Sequence, residues 1–427
     1  MRKRSFFGLS TPTFHYELAT DSPTAPVTIP KPETLTLYIK QELKRTGGDL
    51  KVGTVVKTGQ RLAFAEGDGA CAIASACGTI CTIEPFLADY GQTWTAITIQ
   101  TDASDAVDGT FEEACQVPSL EILQRYLAAC PGEPDFGPLM DARNPVHTLV
   151  IYGGNADLLI DTSLHVFKRN AEAVNAGIEI LRKATGIEDI VIVVPEEGVQ
   201  NYSGHLDARI QTVPSQYPYA QPLMVLFHLT GRLPDERGMG GMGIHFIRAE
   251  AVAAIGEAFS TGRLPVVKTV AVIDKLGNKH MARARVGTPV GILLKTFGVE
   301  INDHDKIIFG GPMTGNAIYS ERQPIGLDTD AIMVQDKSDV SLYSDYPCIN
   351  CGDCVRICPA NVPVNLLVRF LEAGQYSEGA DLYDLYSCIE CGLCSYVCVS
   401  RIPIYQYIKL AKYELGRIIS AEEIDEQ

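Results

Sequence analysis

One tryptophan and eight histidines stand in 427 residues, and the histidines are scattered without the paired spacing of a histidine metal site. Basic residues are also scarce. The 36 Lys and Arg against 52 Asp and Glu leave a net charge of -16, so the chain as a whole repels nucleic acid and anionic headgroups. Long apolar runs are missing: the longest uncharged stretch, Ile210 to Gly231, is interrupted by Pro214, Pro218 and Pro222 and is no membrane span. Met1-Arg-Lys-Arg4 could open a secretion signal, but Gly8 and Pro12 break the next stretch and no apolar core comes after. No low-complexity segment and no Ser/His/Asp or Cys/His catalytic pattern is legible. What remains is an ordinary globular composition, 46% hydrophobic and 21% charged, too long for one core. A soluble chain of several modules is expected, docked at most on a membrane protein.

Four modules are expected. Residues 1–105 mix short β runs such as Val27-Thr-Ile29, Val55-Val56, Gly78 to Ile83 and Thr95 to Gln100 with glycine turns, which reads as a small all-β unit. Within it, Val52 to Gln60 and Ala74 to Ile80 resemble the two halves of a lipoyl-type barrel-sandwich hybrid, with no lysine in the hairpin where a prosthetic group would be carried. A structural version is implied. Residues 106–262 turn to strand, helix, strand. His147 to Tyr152 leads through Gly153-Gly154-Asn155 to a helix from about Ser163 to Ala184, striped by Val166, Phe167, Ala171, Val174, Ile178 and Leu181, then to Ile190 to Val194. A further helix is expected from Arg248 to Phe259, in a mostly parallel α/β sheet. Residues 263–335 read as two strands, Val266 to Ile273 and His280 to Val286, with a short helix Gly291 to Phe297, a β-grasp pattern ending at Gly310-Gly-Pro-Met313.

Residues 340–427 hold eight of the thirteen cysteines. Cys348-Ile-Asn-Cys351-Gly-Asp-Cys354-Val-Arg-Ile-Cys358 and Cys388-Ile-Glu-Cys391-Gly-Leu-Cys394-Ser-Tyr-Val-Cys398 repeat the spacing Cys-x2-Cys-x2-Cys-x3-Cys. Three thiolates on one tight loop suit three corners of a cubane, and the fourth belongs to the other cluster. Two [4Fe-4S] clusters are expected, one on Cys348, Cys351, Cys354 and Cys398, the other on Cys388, Cys391, Cys394 and Cys358. Two zinc sites or disulfides are the weaker readings, since zinc sites pair Cys-x2-4-Cys units and no secretion signal is present. Pro359 follows the first run and Val399 the second, so a looser fold is expected near Cys398. The 29 residues between Cys358 and Cys388 are apolar at helical spacing, as in a helical two-cluster ferredoxin. Cys71, Cys77, Cys81, Cys115 and Cys130 read as small buried hydrophobes, with a third metal site at the first three the alternative.

In this order the modules resemble the C subunit of the Rnf (Rsx) complex, an ion-translocating ferredoxin:NAD oxidoreductase. The likeness rests on Phe7-Gly-Leu-Ser-Thr-Pro12, the half-motifs, the βαβ region, Val286-Gly-Thr-Pro-Val290, Gly310-Gly-Pro-Met-Thr-Gly315 and both cysteine runs. It implies a barrel-sandwich hybrid, an α/β domain like the FMN- and NADH-binding subunit of complex I, an SLBB-like β-grasp unit and a ferredoxin domain. It implies a peripheral subunit on the cytoplasmic side of the membrane, docked on other Rnf subunits and exchanging single electrons with a ferredoxin or cytochrome, with no catalytic site of its own. A soluble iron-sulfur adaptor between a cytosolic oxidoreductase and a carrier is the alternative, and a scaffold with purely structural clusters the third reading.

The nucleotide motifs depart from that family. Cys130-Pro-Gly-Glu-Pro-Asp-Phe-Gly-Pro138 stands for its glycine-rich phosphate loop, Tyr152-Gly-Gly-Asn-Ala-Asp-Leu158 for its Asn-Ala-Ala-Glu-Cys-Glu-Pro segment, and Tyr219-Ala-Gln-Pro-Leu223 follows the surviving Tyr217-Pro218. Glu133 and Asp135 without a glycine nest repel phosphate, so a lost FMN and NAD(H) site is expected, with retention the alternative. Gly238-Met-Gly-Gly-Met-Gly243 matches G-x-G-x-x-G but follows no strand, so it reads as a loop. Gly153-Gly154, at a strand end, is the better-placed ligand candidate.

Overall fold

A computed structural model describes residues 11–16, 25–42, 50–65, 69–154, 157–197, 206–232, 239–344 and 346–425. Residues 1–10, which include most of the opening motif, as well as Gly47-Gly48, Asn155 and Gly238, lie outside them.

Strand β1 (Val27–Thr28) departs from the expected N-terminal unit. It pairs in parallel with a strand some 250 residues away, Val27 opposite Ala282, and delivers Ile29 into that distant core. The short run alternates too little to specify a sheet by itself. Strands β2 (Thr34–Ile39), β3 (Val55–Val56), β6 (Gly78–Leu87) and β7 (Thr93–Thr101) form an antiparallel sheet in the order β2-β7-β6-β3, and β4 (Arg61–Leu62) pairs with β5 (Ala72–Ile73) beside it. Alternation in Thr34–Ile39 sends Leu35, Leu37 and Ile39 inward against Ile97 and Ile99.

Strands β8 (Thr148–Tyr152), β9 (Asp189–Pro195), β10 (Arg209–Val213) and β11 (Ile244–Arg248) form a wholly parallel sheet in the order β10-β9-β8-β11. A parallel sheet must be covered on both faces. Leu149, Ile151, Ile190 and Ile192 face helices α1 (Thr162–Arg169), α2 (Ala171–Thr185) and, after α3 (Pro222–Thr230), α4 (Ala249–Thr261). The single helix expected from Ser163 to Ala184 is broken at Asn170 (φ -121°, ψ 29°), a residue type that favours local turns over helix interiors. Helices α2 and α4 pack almost backbone to backbone: a Cβ on Gly177 would lie 2.0 Å from the Val252 carbonyl oxygen, and one on Gly256 1.9 Å from that of Ala173.

The opposite face of the parallel sheet carries Val150, Tyr152, Val191 and Val193. It packs on α3 and on Ile389, Cys391 and Leu393 of the C-terminal module. The cysteine module therefore shares a core with the α/β sheet. Strands β12 (Val267–Ile273), β13 (Lys279–Arg285), β14 (Lys306–Phe309), β15 (Asn316–Ile318) and β16 (Ala331–Gln335) complete a mixed six-stranded sheet, β1-β13-β12-β16-β14-β15, closed by helix α5 (Val290–Thr296).

The C-terminal module is helical. Helix α6 (Asp353–Ile357) follows the first cysteine loop, α7 (Val364–Glu372) and α8 (Tyr376–Tyr383) fill the interval between the runs, α9 (Leu393–Val397) follows the second loop, and α10 (Ile404–Asp425) ends the described chain. Val364, Leu367, Val368 and Leu371 meet Ile404, Ile408 and Ala411 in its core. No helix among the described residues is long and apolar enough to cross a membrane.

Candidate iron-sulfur centres and the adjoining crevice

The two cysteine loops have one build. Asn350, Gly352 and Asn361 take φ of 56°, 74° and 56°, and Glu390, Gly392 and Arg401 take 55°, 73° and 54° at the matching positions. Gly392 has a second reason to be glycine, because a Cβ there would lie 2.5 Å from the Met313 carbonyl oxygen. The turn after each run closes alike: Asn361 N–H donates to the Cys358 carbonyl and Arg401 N–H to that of Cys398, both at 3.2 Å. The looser fold expected at Val399 is not seen, since the backbone bond closes the turn without proline.

The thiols gather in crossed fours. Cys354 lies in the electrostatic field of Cys348, Cys351 and Cys398. Cys391 and Cys394 lie in that of Cys388 and Cys358. Burial pushes Cys354 and Cys388 up to about 11 and Cys391 up to about 12, with Cys394 raised well above an ordinary thiol. Such thiols hold their protons at neutral pH until a cation displaces them, which is what iron does on ligation. Among the described residues no three His, Cys, Asp or Glu close in on a single metal ion. Thiolates sharing one zinc stand about 3.8 Å apart, whereas a cubane spreads its thiolates over four separate irons. The donor set and its convergence fit a [4Fe-4S] group at each four. Two backbone N–H groups also reach sulfur, Glu390 to Cys388 and Ile402 to Cys398, each at 3.4 Å.

The two loops differ in surroundings. Ile389 is 5% exposed while its counterpart Ile349 is 66% exposed, and Cys391 is buried where Cys351 is exposed. Leu393 against Asp353 at the equivalent position is the sequence trace of this difference. The inner loop is held by contacts that the spacing alone did not reveal. Tyr217 Oη donates to the Cys391 carbonyl at 2.5 Å, and Tyr405 Oη to that of Thr314 at 3.3 Å. Lys412 Nζ donates to the Cys388 carbonyl at 2.7 Å and to Glu390 Oε1 at 2.8 Å. The clue to Lys412 is its place eight residues after Ile404, two helical turns along the face that packs on the loop.

Beside the inner loop lies a crevice of about 890 Å³ at the carboxyl ends of β8 and β11. Strand order reverses between these two strands, where open α/β sheets take ligands. The phosphate donors such a site needs are engaged elsewhere. Asp157 accepts from Met313 N–H, Thr314 N–H and Thr314 Oγ1, so a protein carboxylate takes the donors of the Gly310 to Gly315 loop. Burial raises the Asp157 carboxyl, against the pull of those hydrogen bonds. Gly132 N–H donates to the Leu327 carbonyl, and a Cβ on Gly132 would lie 2.5 Å from Ala251 N. Gly153 N–H donates to the Val193 carbonyl, and Gly153 itself packs on Phe167. Glu133 pairs with Lys40 at 2.5 Å and Arg248 with Asp330 at 2.9 Å. Fully buried Lys268 lies between Glu250 and Asp330; burial alone would lower its pKa, but these carboxylates hold it above the ordinary value. These residues do not fit the phosphates of FMN or NAD(H).

Other candidates fall away. Met239–Met242 is a short turn that runs into strand β11, so the glycine motif opens no helix, and Gly243 packs on His147. Cys77 Sγ donates to the Ser104 carbonyl at 2.8 Å and Cys81 Sγ to that of Thr98 at 3.3 Å. Cys81 is exposed, against the expectation of a buried thiol, because it sits at the bulge where the β6–β7 register shifts between Ile80 and Thr82.

Residues 347–402 match the family model of the 4Fe-4S dicluster domain. The chain is 26% identical over 368 residues to the C subunit of the ion-translocating oxidoreductase complex of Haemophilus influenzae (strain ATCC 51907 / DSM 11121 / KW20 / Rd), covering 80% of this chain and 45% of that one. To the protein of the same name from Rhodobacter capsulatus it is 27% identical, over 83% of this chain and 72% of that one. The chain thus spans about half the length of the Haemophilus relative. A solved NAD+-reducing [NiFe]-hydrogenase in the H2-reduced state aligns at TM-score 0.43 and 13% identity, over 72% of this chain and 65% of that one. The chain is a homologue of these Rnf C proteins over four fifths of its length, a mixed α/β multidomain protein whose C-terminal ferredoxin-like domain carries two [4Fe-4S] clusters.

Proposed function

We propose that this protein is an electron-transfer subunit, of the Rnf C type, in an Rnf-like ion-translocating oxidoreductase complex. The observation that carries the reading is the pair of like cysteine loops, one at the surface and one packed on the α/β sheet. Cys348, Cys351, Cys354 and Cys398 hold the outer cluster, and Cys388, Cys391, Cys394 and Cys358 the inner one. Each [4Fe-4S] group supplies one-electron storage, and with all four irons thiolate-bound it offers no open site for a substrate. The protein's part is to fix the loops, to shut solvent out at Ile389 and Leu393, and to leave the Cys351 side open to a redox partner. Ile349, Tyr346, Tyr343 and Leu342, all more than half exposed, surround that side.

Residues 1–105 serve as a barrel-sandwich hybrid, 106–262 as the α/β domain, 263–335 as an SLBB-like unit and 340–427 as the ferredoxin domain. In this reading the subunit sits peripherally on the cytoplasmic face, against other Rnf-type subunits, and exchanges electrons with a ferredoxin or cytochrome. The test is an anaerobic purification from membranes with EPR-monitored redox titration. About eight irons per chain, two reducible signals and co-purifying integral membrane subunits are expected. Recovery without membrane partners points to the soluble adaptor, and signals that no accessible potential reduces point to a scaffold.

A further inference from the structure

We infer that the crevice at the carboxyl ends of β8 and β11 binds a phosphate-free organic ligand that donates hydrogen bonds. The inference goes beyond the electron-transfer reading and does not rest on it. At about 890 Å³ the space suits a molecule the size of a cofactor.

Three buried side-chain oxygens lining it have no hydrogen-bond partner: Tyr152 Oη at the end of β8, Thr162 Oγ1 at the start of α1, and Gln323 Oε1 on the segment before β16. Tyr152 is 8% exposed and Thr162 4%. Buried polar atoms are satisfied as a rule, and these three converge from separate elements on one space. Their chemistry sets the class of ligand. A glutamine carbonyl oxygen only accepts, and the two hydroxyls can both accept and donate, so the complementary molecule must bring donors.

Charge sets the second condition. Six acids line the crevice, Asp89, Glu133, Asp157, Glu250, Asp328 and Asp330, against the cations Lys40 and Arg248, and both cations are already paired with carboxylates. Asp157 takes up the backbone donors of residues 313 and 314. A phosphate would meet neither a free cation nor a nest, whereas an uncharged or cationic donor meets acceptors on several sides.

Riboflavin and FMN make a matched pair of probes, because they differ by one phosphate. Equilibrium dialysis of the full, cluster-loaded chain is expected to show saturable riboflavin binding, with FMN at least tenfold weaker. Tyr152→Phe and Thr162→Val remove oxygens that bond to nothing in the protein, so each is expected to weaken riboflavin severalfold while the melting temperature does not fall. FMN binding as tight as riboflavin overturns the inference, as does the lack of saturable riboflavin binding up to millimolar concentration. Variants that melt lower and bind unchanged also overturn it, because the oxygens then serve the fold. None of these outcomes touches the cluster assignment, which needs no crevice ligand.

Discussion

Lys412 and Glu390 bring opposite charges to the same cysteine loop, and their effects on its cluster must have opposite signs. Reduction adds one negative charge, which a nearby ammonium favours and a nearby carboxylate resists. The field of Lys412 already lowers the Cys388 thiol pKa against burial, and that of Glu390 raises it. Lys412→Met is expected to lower the potential of the inner cluster by on the order of 50 mV, and Glu390→Gln to raise it by a similar amount, since 59 mV is a factor of ten for one electron. The double variant should return close to the parent, and the outer cluster should stay put in all three. Redox titration with EPR detection reads each shift, and equal movement of both clusters would count against the assignment. Tyr217→Phe leaves the Cys391 carbonyl without its side-chain donor. It is expected to cost about 1–3 kcal/mol and to speed cluster loss under oxygen, followed by loss of visible absorbance.

At the scale of elements, the repeat predicts which substitutions share a phenotype. Cys351→Ser and Cys398→Ser, 47 positions apart in the sequence numbering, should abolish the same EPR signal, and Cys391→Ser and Cys358→Ser the other. Signals that sort by run instead of by crossed four would refute the ligand sets. The packing of α2 on α4 allows no side chain at Gly177, so Gly177→Ala should cost about 1–3 kcal/mol, seen as a lower melting temperature with both EPR signals unchanged. The strands of the parallel sheet and the helices α7 and α10 were legible in the sequence because their apolar residues repeat at 2 or 3.6 positions against a single core. The break at Asn170 and the pairing of β1 with β13 were not. The first is a local backbone preference inside a continuing apolar stripe, and the second is a long-range contact of two residues. Cysteine spacing likewise disclosed the fours but not Tyr217, Tyr405 or Lys412, whose roles come from tertiary approach to backbone carbonyls.

The whole molecule sets one cluster loop against the α/β sheet and leaves the other at the surface of an acidic protein. Asp157 links the two regions: it binds the 313–314 backbone, Met313 abuts Gly392, and Thr314 accepts from Tyr405. The nucleotide-binding half of the family resemblance does not carry over, because the crevice that should take FMN and NADH has its cations and backbone donors already bound to carboxylates and carbonyls. That is the central claim, an electron relay that has parted from nicotinamide chemistry. Its most direct test is anaerobic addition of NADH to the cluster-loaded protein, with and without FMN, following cluster reduction by EPR against a dithionite control. The account predicts two reduced signals with dithionite and none with NADH under either condition. Reduction by NADH would contradict it and restore the crevice as a working nucleotide site.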